Sequence, residues 1–273
     1  MVQRDYKTVN KPRKIVNDDG KMGCLLDIAF GKDGVWAVAD SNNCVYIFDD
    51  QETLIRKFGQ SGTNNGQFQR PWGISFDANN DLYVTDYNNH RVQKFNINGT
   101  YLFQFGHCGS GNGQLSYPQG IAVHNDKVFV ADYGNCRISV FHLNGQFGHV
   151  IGSGQLLSRP WGVAVTTNDQ LLVADFNKNY IVRFTLDGTY VDQFGNGYLS
   201  HPAAVTTDLN GFVLVGEEGN QHISVFNKDG VFIYTFGSRG SAVGQFSSPY
   251  GIAISPSNEV HVADFSNKRV QIF

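Results

Sequence analysis

The chain has little that would cross-link it, carry it through a membrane or hold a metal. Its four cysteines, Cys24, Cys44, Cys108 and Cys136, are widely spaced with no C-x-x-C pair, which argues against a disulfide framework and for reduced thiols. Only 16% of residues are charged and the net charge is −3, so any attraction to nucleic acid has to be local. No apolar run approaches the ~18 residues of a membrane span, and no charged-then-apolar leader opens the sequence. The expectation is a cytoplasmic protein with no membrane contact, or a domain excised from a longer one. No stretch keeps a helical period for three turns, which excludes a helical bundle. There is no G-x-S-x-G elbow, no Gly-Lys-Ser/Thr after a glycine-rich turn and no H-x-x-x-H, so the common hydrolase, nucleotide and zinc signatures are missing.

What is abundant is glycine, at 31 residues, and aromatics, at 21 Phe, 12 Tyr and 3 Trp. The stretch Arg70–Gly106 shows how they are used. GISF, LYVTD, RVQKF and YLFQF are four short runs of aromatic and β-branched residues, each bounded by Asn, Asp or Gly, and they read as four strands. The phrase recurs. First strands open at Asp27, Gly73, Gly120, Gly162, Ala204 and Gly251, at intervals of 46, 47, 42, 42 and 47 residues. Second strands end on an acid: Asp40, Asp86, Asp132, Asp175, Glu217 and Asp264. Third strands end on Phe48, Phe95, Phe141, Phe184, Phe226 and Phe273. The period is that of propeller blades.

These landmarks predict an all-β fold, a six-bladed β-propeller of four-stranded antiparallel blades. The sixth unit stops after its third strand, whereas Lys14-Ile15-Val16-Asn17 is extended and unassigned. An N-terminal strand is therefore expected to complete the last blade and close the ring, since an open ring would expose strand edges. Residues 13–273 form one domain on this reading, and 1–12 a frayed lead-in.

The segments DYNNHRVQKF (Asp86–Phe95), DYGNCRISVF (Asp132–Phe141) and DFSNKRVQIF (Asp264–Phe273) resemble NHL repeats. With the G-x-x-G-x-x-x-G-Q-F links before a P-x-G strand, the chain resembles the C-terminal NHL propeller of tripartite-motif proteins. That resemblance implies upstream RING, B-box and coiled-coil segments in the natural protein, and a non-catalytic recognition module here. Relatives with this fold include RNA binders, protein-binding platforms and a zinc-dependent lyase. Blades one, four and five depart from the pattern at DSNNCV, DFNKNY and GEEGNQH, so a ligand site would be lopsided around the ring.

The turns between second and third strands share a face with the inter-blade links, here called the top. Its loops carry Arg70, Arg91, Arg137, Arg159, Lys178, Arg239, Lys268 and Arg269, and Glu218 is their only acid beyond the strand-ending ones. The opposite turns hold Asp33, Asp49, Asp50, Glu52, Asp77, Asp81, Asp126, Asp169, Asp187, Asp208, Asp229 and Glu259 against Lys32, Lys127 and Lys228. Phosphate backbones are drawn to clustered Lys and Arg, and an acidic underside favours one orientation.

The top also carries aromatics: Tyr87, Tyr133, Phe176 and Phe265 after the acids, and Trp72, Tyr117, Trp161 and Tyr250 beside the link prolines. Single-stranded RNA is held by bases stacking on such planes with phosphates on Lys and Arg. The candidate RNA-contacting set is therefore Arg70, Trp72, Tyr87, His90, Arg91, Tyr117, Tyr133, Arg137, Arg159, Trp161, Phe176, Lys178, Tyr180, His201, Tyr250, Phe265 and Lys268. Arg91, Arg137 and Arg269 are open between holding the strand-ending acid and binding ligand. Arg70, Arg159, Lys178 and Lys268 fill no repeated slot and are the sharper candidates. No cofactor, metal or catalytic residue is expected, and the isolated domain should be a monomer. The alternatives are a protein-interaction platform that recruits substrates to a ubiquitin ligase, and a metal-dependent lyase using His90, His201 and His222. Asp27, in a glycine position at the channel, could face a cation or cap a turn.

Overall fold

The structure is a computed structural model and describes Tyr6, residues 11–17 and residues 20–273. After a short strand β1 (Lys14–Val16), the chain builds six four-stranded antiparallel sheets in succession. Blade one is β2 (Leu25–Phe30), β3 (Trp36–Asp40), β4 (Cys44–Phe48) and β5 (Leu54–Phe58). Blade two is β6 (Pro71–Phe76), β7 (Leu82–Asp86), β8 (Arg91–Phe95) and β9 (Tyr101–Phe105). Blade three is β10 (Pro118–His124), β11 (Lys127–Asp132), β12 (Arg137–His142) and β13 (Phe147–Ile151). Blade four is β14 (Pro160–Val165), β15 (Gln170–Asp175), β16 (Tyr180–Thr185) and β17 (Tyr190–Phe194). Blade five is β18 (Pro202–Thr207), β19 (Val213–Glu217), β20 (His222–Phe226) and β21 (Phe232–Phe236). Blade six has β22 (Pro249–Ile254), β23 (Val260–Asp264) and β24 (Arg269–Ile272), and takes its outer strand from β1.

That last pairing closes the ring as expected. Lys14 faces Ile272, Ile15 faces Gln271 and Val16 faces Val270. Most of the expected lead-in lies outside the described residues. Tyr6 is buried, and its hydroxyl donates to Asp208 at 2.9 Å beneath blade five.

The inner strands crowd the axis. A Cβ on Gly120 would lie 2.4 Å from the carbonyl oxygen of Trp161 in the next blade, so the repeated glycine is demanded by backbone approach. Farther out, blade faces pack through the second and third strands, whose interiors are buried. The third-strand phenylalanines sit between blades, as where Phe105 meets Phe141 at a centroid distance of 4.7 Å. Burying each such ring contributes roughly 1.5–3 kcal/mol.

Candidate binding face

Each strand-ending acid is completely buried and anchors its blade's top turn. Asp86 accepts from the Gln69 backbone N–H (2.7 Å), Asn89 Nδ2 (2.8 Å) and Arg91 Nε (2.9 Å). Arg91 is itself buried. Its Nη1 donates to Gln104 Oε1, and its Nη2 to the carbonyls of Asn64 and Gln67 in the glycine-rich link. Arg137 repeats this between Asp132 and the carbonyls of Ser110, Gly111 and Gln114, and Arg269 between Asp264 and those of Ser241, Ala242 and Gln245. Each of these buried guanidiniums has four of its five N–H donors committed within the fold. Arg91 and Arg137 therefore leave the candidate contact set, because they are the pins that hold the long links. Stripping one partner from such a buried pair would leave an uncompensated charge.

Where the arginine is missing, the link is short. In blade four Tyr180 fills the arginine slot opposite Asp175 and packs against the core between blades three and four. Lys178 instead reaches the Gln155 and Leu156 carbonyls of its short link, so it also has a holding role, although its charge stays half-exposed. In blade five His222 Nε2 meets Glu217 at 2.9 Å. Turn asparagines behave as local chemistry dictates, with Asn135 and Asn267 each donating both to their acid and to a link glycine carbonyl.

The aromatics converge over the axis. The second residue of each inner strand is Leu26, Trp72, Gln119, Trp161, Ala203 or Tyr250, one per blade. Trp72 and Trp161 meet edge-on at 5.3 Å, and Tyr250 lies 6.0 and 5.5 Å from them. Tyr87 and Tyr117 extend this plug on one side, Tyr133 and Phe176 on another, and Phe265 beyond Tyr250. Beneath it lies a cavity of about 30 Å³ bordered by Asp27 and Trp161. Trp72 and Trp161 are buried within the plug, a correction to their expected role as open stacking planes. The exposed planes are those around them: Tyr117 is 42% exposed, and Tyr87, Tyr133, Phe176, Tyr250 and Phe265 are half-buried. Burial raises the phenol pKa of Tyr87 and of Tyr250, so both remain hydrogen-bond donors at neutral pH.

Two cations lie on this plug. The Arg70 guanidinium sits 4.4 Å from the Trp72 ring and 5.5 Å from Tyr87, and that of Arg159 sits 5.3 Å from Tyr133. Arg70 holds a left-handed conformation (φ 67°), and its N–H donates to Asn43 of the preceding blade. His90 serves the next link in the same way, its Nδ1 accepting from the Tyr117 N–H at 3.1 Å. Burial holds His90 below the usual histidine pKa, so the ring is neutral, its proton is on Nε2 and that edge is a donor. His201 packs on Phe176 at 4.7 Å, and Lys268 is exposed at its turn. His90, His201 and His222 do not converge, and no group of three metal-ligating side chains occurs among the described residues. Sequence reasoning missed Gln119, a polar residue in an otherwise apolar ring, whose Oε1 is buried without a partner.

The underside is less acidic than its turns suggest. Lys94, on a strand, sits 3.0 Å from both Asp77 and Asp81, and Arg13 and Lys14 of the closing segment pair with Glu52 and Glu259. Asp27 bridges blades one and two, accepting from the Ile28 and Ile74 N–H groups at 2.9 and 3.1 Å.

The NHL repeat model matches residues 68–95, 115–141, 157–184 and 246–273, which are blades two, three, four and six with their buried acids and links. The chain is an NHL-repeat propeller. Brain tumor protein of Drosophila melanogaster is 30% identical over 141 residues, and the B-box type zinc finger protein ncl-1 of Caenorhabditis elegans is 33% identical over 140. Those matches take in 51% and 50% of this propeller but only 14% and 16% of the relatives' own lengths. Among solved structures, a streptogramin B lyase superposes with a TM-score of 0.68 over 95% of this chain and 96% of that one. At 17% identity it shares the propeller architecture alone. No helix among the described residues is long and apolar enough to cross a membrane.

Proposed function

We propose that this NHL propeller is a recognition module that binds single-stranded or hairpin RNA on its top face, in the cytoplasm, as part of post-transcriptional regulation. The observation that carries the reading is the placement of the Arg70 and Arg159 guanidiniums over rings of the aromatic plug, with further solvent-facing aromatics around them. A guanidinium lying on a ring keeps its in-plane N–H groups for phosphate or base edges, and the half-buried rings offer stacking faces worth about 1–3 kcal/mol per base. Tyr87, Tyr117, Tyr133, Phe176, Tyr250 and Phe265 would stack bases, Lys178 and Lys268 would meet phosphates, and His90 and His201 would read edges. In a longer protein with ubiquitin-ligase segments upstream, the same face would choose what those segments reach.

The test is RNA affinity from a random-pool selection at physiological salt, followed by the Arg70→Glu/Arg159→Glu double variant. Both side chains lie on the surface of the plug, so the melting temperature should be unchanged while affinity falls at least roughly 100-fold, since two charge reversals each remove a phosphate contact and add repulsion. Equal affinity in the double variant would sink the reading. A second reading is favoured by the exposed Tyr117: a protein partner seated on the plug. It predicts a peptide that binds the same residues and is not displaced by the selected RNA.

A further inference from the structure

At the seam between blades one and six, on the face opposite the aromatic plug, lies a pocket of about 420 Å³, within the size range of ligand sites. Phe30, Trp36 and His261 form its aromatic wall, with Phe30 and His261 edge-to-face at 4.8 Å. Asp33, Asp50, Glu52 and Glu259 rim it, and Ser255 and Ser257 complete the lining. None of these groups serves the top face.

The rim acids fall into two pairs. Glu52 and Glu259 are committed to Arg13, whose Nε and Nη2 grip Glu259 while Nη2 also reaches Glu52. Asp33 and Asp50 are exposed and have no cation within ion-pair distance among the described residues. An acidic rim alone would be an ordinary solvated surface. His261 is what makes this one a site: the ring is 2% exposed, lines the pocket, and its Nδ1 is buried without a hydrogen-bond partner. Orphaned buried polar atoms are uncommon because each costs on the order of 1–3 kcal/mol. Burial pushes the imidazole pKa down to about 4, so at neutral pH the ring is uncharged and adds no repulsion to an incoming cation.

The Ser255 and Ser257 hydroxyls are bonded to each other and to Glu259. The groups left for a ligand are the Asp33 carboxylate, the Asp50 carboxylate, whose Oδ1 accepts from the neighbouring Gln51, and a neutral imidazole nitrogen, beside a half-buried phenyl ring. They ask for a cation with several N–H donors and a flat face. A guanidinium has both, and Arg13 shows at the same rim how one is held, across Glu52 and Glu259. We propose that this seam pocket binds an arginine side chain of a partner peptide, its guanidinium between Asp33 and Asp50 and its tip on His261. The site is independent of the RNA reading and lies on the other face of the ring.

The experiment is calorimetric titration of the whole chain with the capped peptide Gly-Arg-Gly, its citrulline counterpart and free arginine. Backbone amide NMR locates the binding. The arginine peptide should bind and shift the amides of residues 30–36 and 255–261, and citrulline, isosteric but uncharged, should not. Asp33→Asn/Asp50→Asn, two exposed positions, should weaken the peptide roughly tenfold by removing two rim charges, with the melting temperature unchanged. No arginine-peptide binding, equal binding of citrulline, or shifts confined to the top face would overturn the proposal. Free arginine binding as tightly as the peptide would overturn its peptide part and assign the pocket to a small guanidinium compound.

Discussion

Asp27 shows how one residue can set the pH response of the ring. Its siblings at the channel are Gly73, Gly120, Gly162, Ala204 and Gly251, so a single blade carries a carboxylate where the others carry nothing or a methyl. Removal from bulk water pushes this carboxyl up to about 7, against the opposing pull of the Ile74 and Ile28 N–H groups. The sign follows from linkage. An acid whose folded pKa lies above its unfolded value favours the fold when protonated, so its contribution is fully present below about 4 and is lost as pH rises to about 7. Stability should therefore fall by up to about 1.4 kcal/mol per pH unit across that window relative to Asp27→Asn, then run parallel to it. Urea unfolding of both proteins at pH 5, 6 and 8 measures the difference, and parallel stabilities throughout would contradict it. The arginines teach a related lesson. Arg91, Arg137 and Arg269 look like Arg70 and Arg159 in a list of top-face cations, yet the first three are buried pins and the latter two are surface groups. The distinction was readable where an arginine recurs at one slot of the repeat, opposite an acid and after a long link. It was invisible where Lys178 takes over the holding role from a neighbouring position, because no repeat marks that substitution.

Among the elements, β1 has a weight out of proportion to its three residues. It is the only part of blade six that comes from the other end of the chain, and Val16 is buried in the core shared by blades six and one. Arg13 and Lys14 then tie the strand to Glu52 and Glu259 across the seam. Exposed pairs of this kind contribute little each, so the burial of Val16 and the ladder to β24 should dominate the closure. Val16→Asp replaces that burial with a charge in an apolar setting and should destabilise the fold by about 3 kcal/mol, or roughly 6–12 °C in Tm for a domain of this size. Asn17→Asp, one exposed residue on, should change neither. Calorimetric melting of the two variants decides it, and an unchanged Val16→Asp transition would mean that the ring holds without its clasp. The blades, their order and this closure were all legible in the sequence, since three landmarks keep step with the period and one strand was missing at one end and spare at the other. The aromatic plug was legible only as a set of residues. That Trp72 and Trp161 cover the axis while Tyr117 stands in solvent depends on how six inner strands converge, which no single repeat encodes.

On the scale of the whole molecule, the two faces differ less by total charge than by which charges are free. The sequence sets eight top-face cations against twelve acids below, but three of those arginines are buried with four of their five donors committed, and Asp77, Asp81, Glu52 and Glu259 have cation partners that come from a strand and from the closing segment. The turns alone could not reveal those partners, because Lys94, Arg13 and Lys14 lie outside them. What remains on top for a polyanion is Arg70, Arg159, Lys178, Arg239 and Lys268, spread over a rim whose centre is apolar. A ligand held this way should depend on salt only moderately. Each phosphate neutralised on a single strand contributes about −0.7 to the slope of log affinity against log salt, so five cations at most give a slope no steeper than about −3.5. The remainder of the affinity has to come from stacking on the plug, which salt does not screen. Titrations of the selected RNA between low and physiological salt measure the slope directly. A value near −3 that falls towards −2 in Arg70→Glu/Arg159→Glu fits a mixed stacking and phosphate site on this face. A slope much steeper than −3.5 would mean that RNA engages cations beyond the top rim, and the assignment of the face would then be wrong.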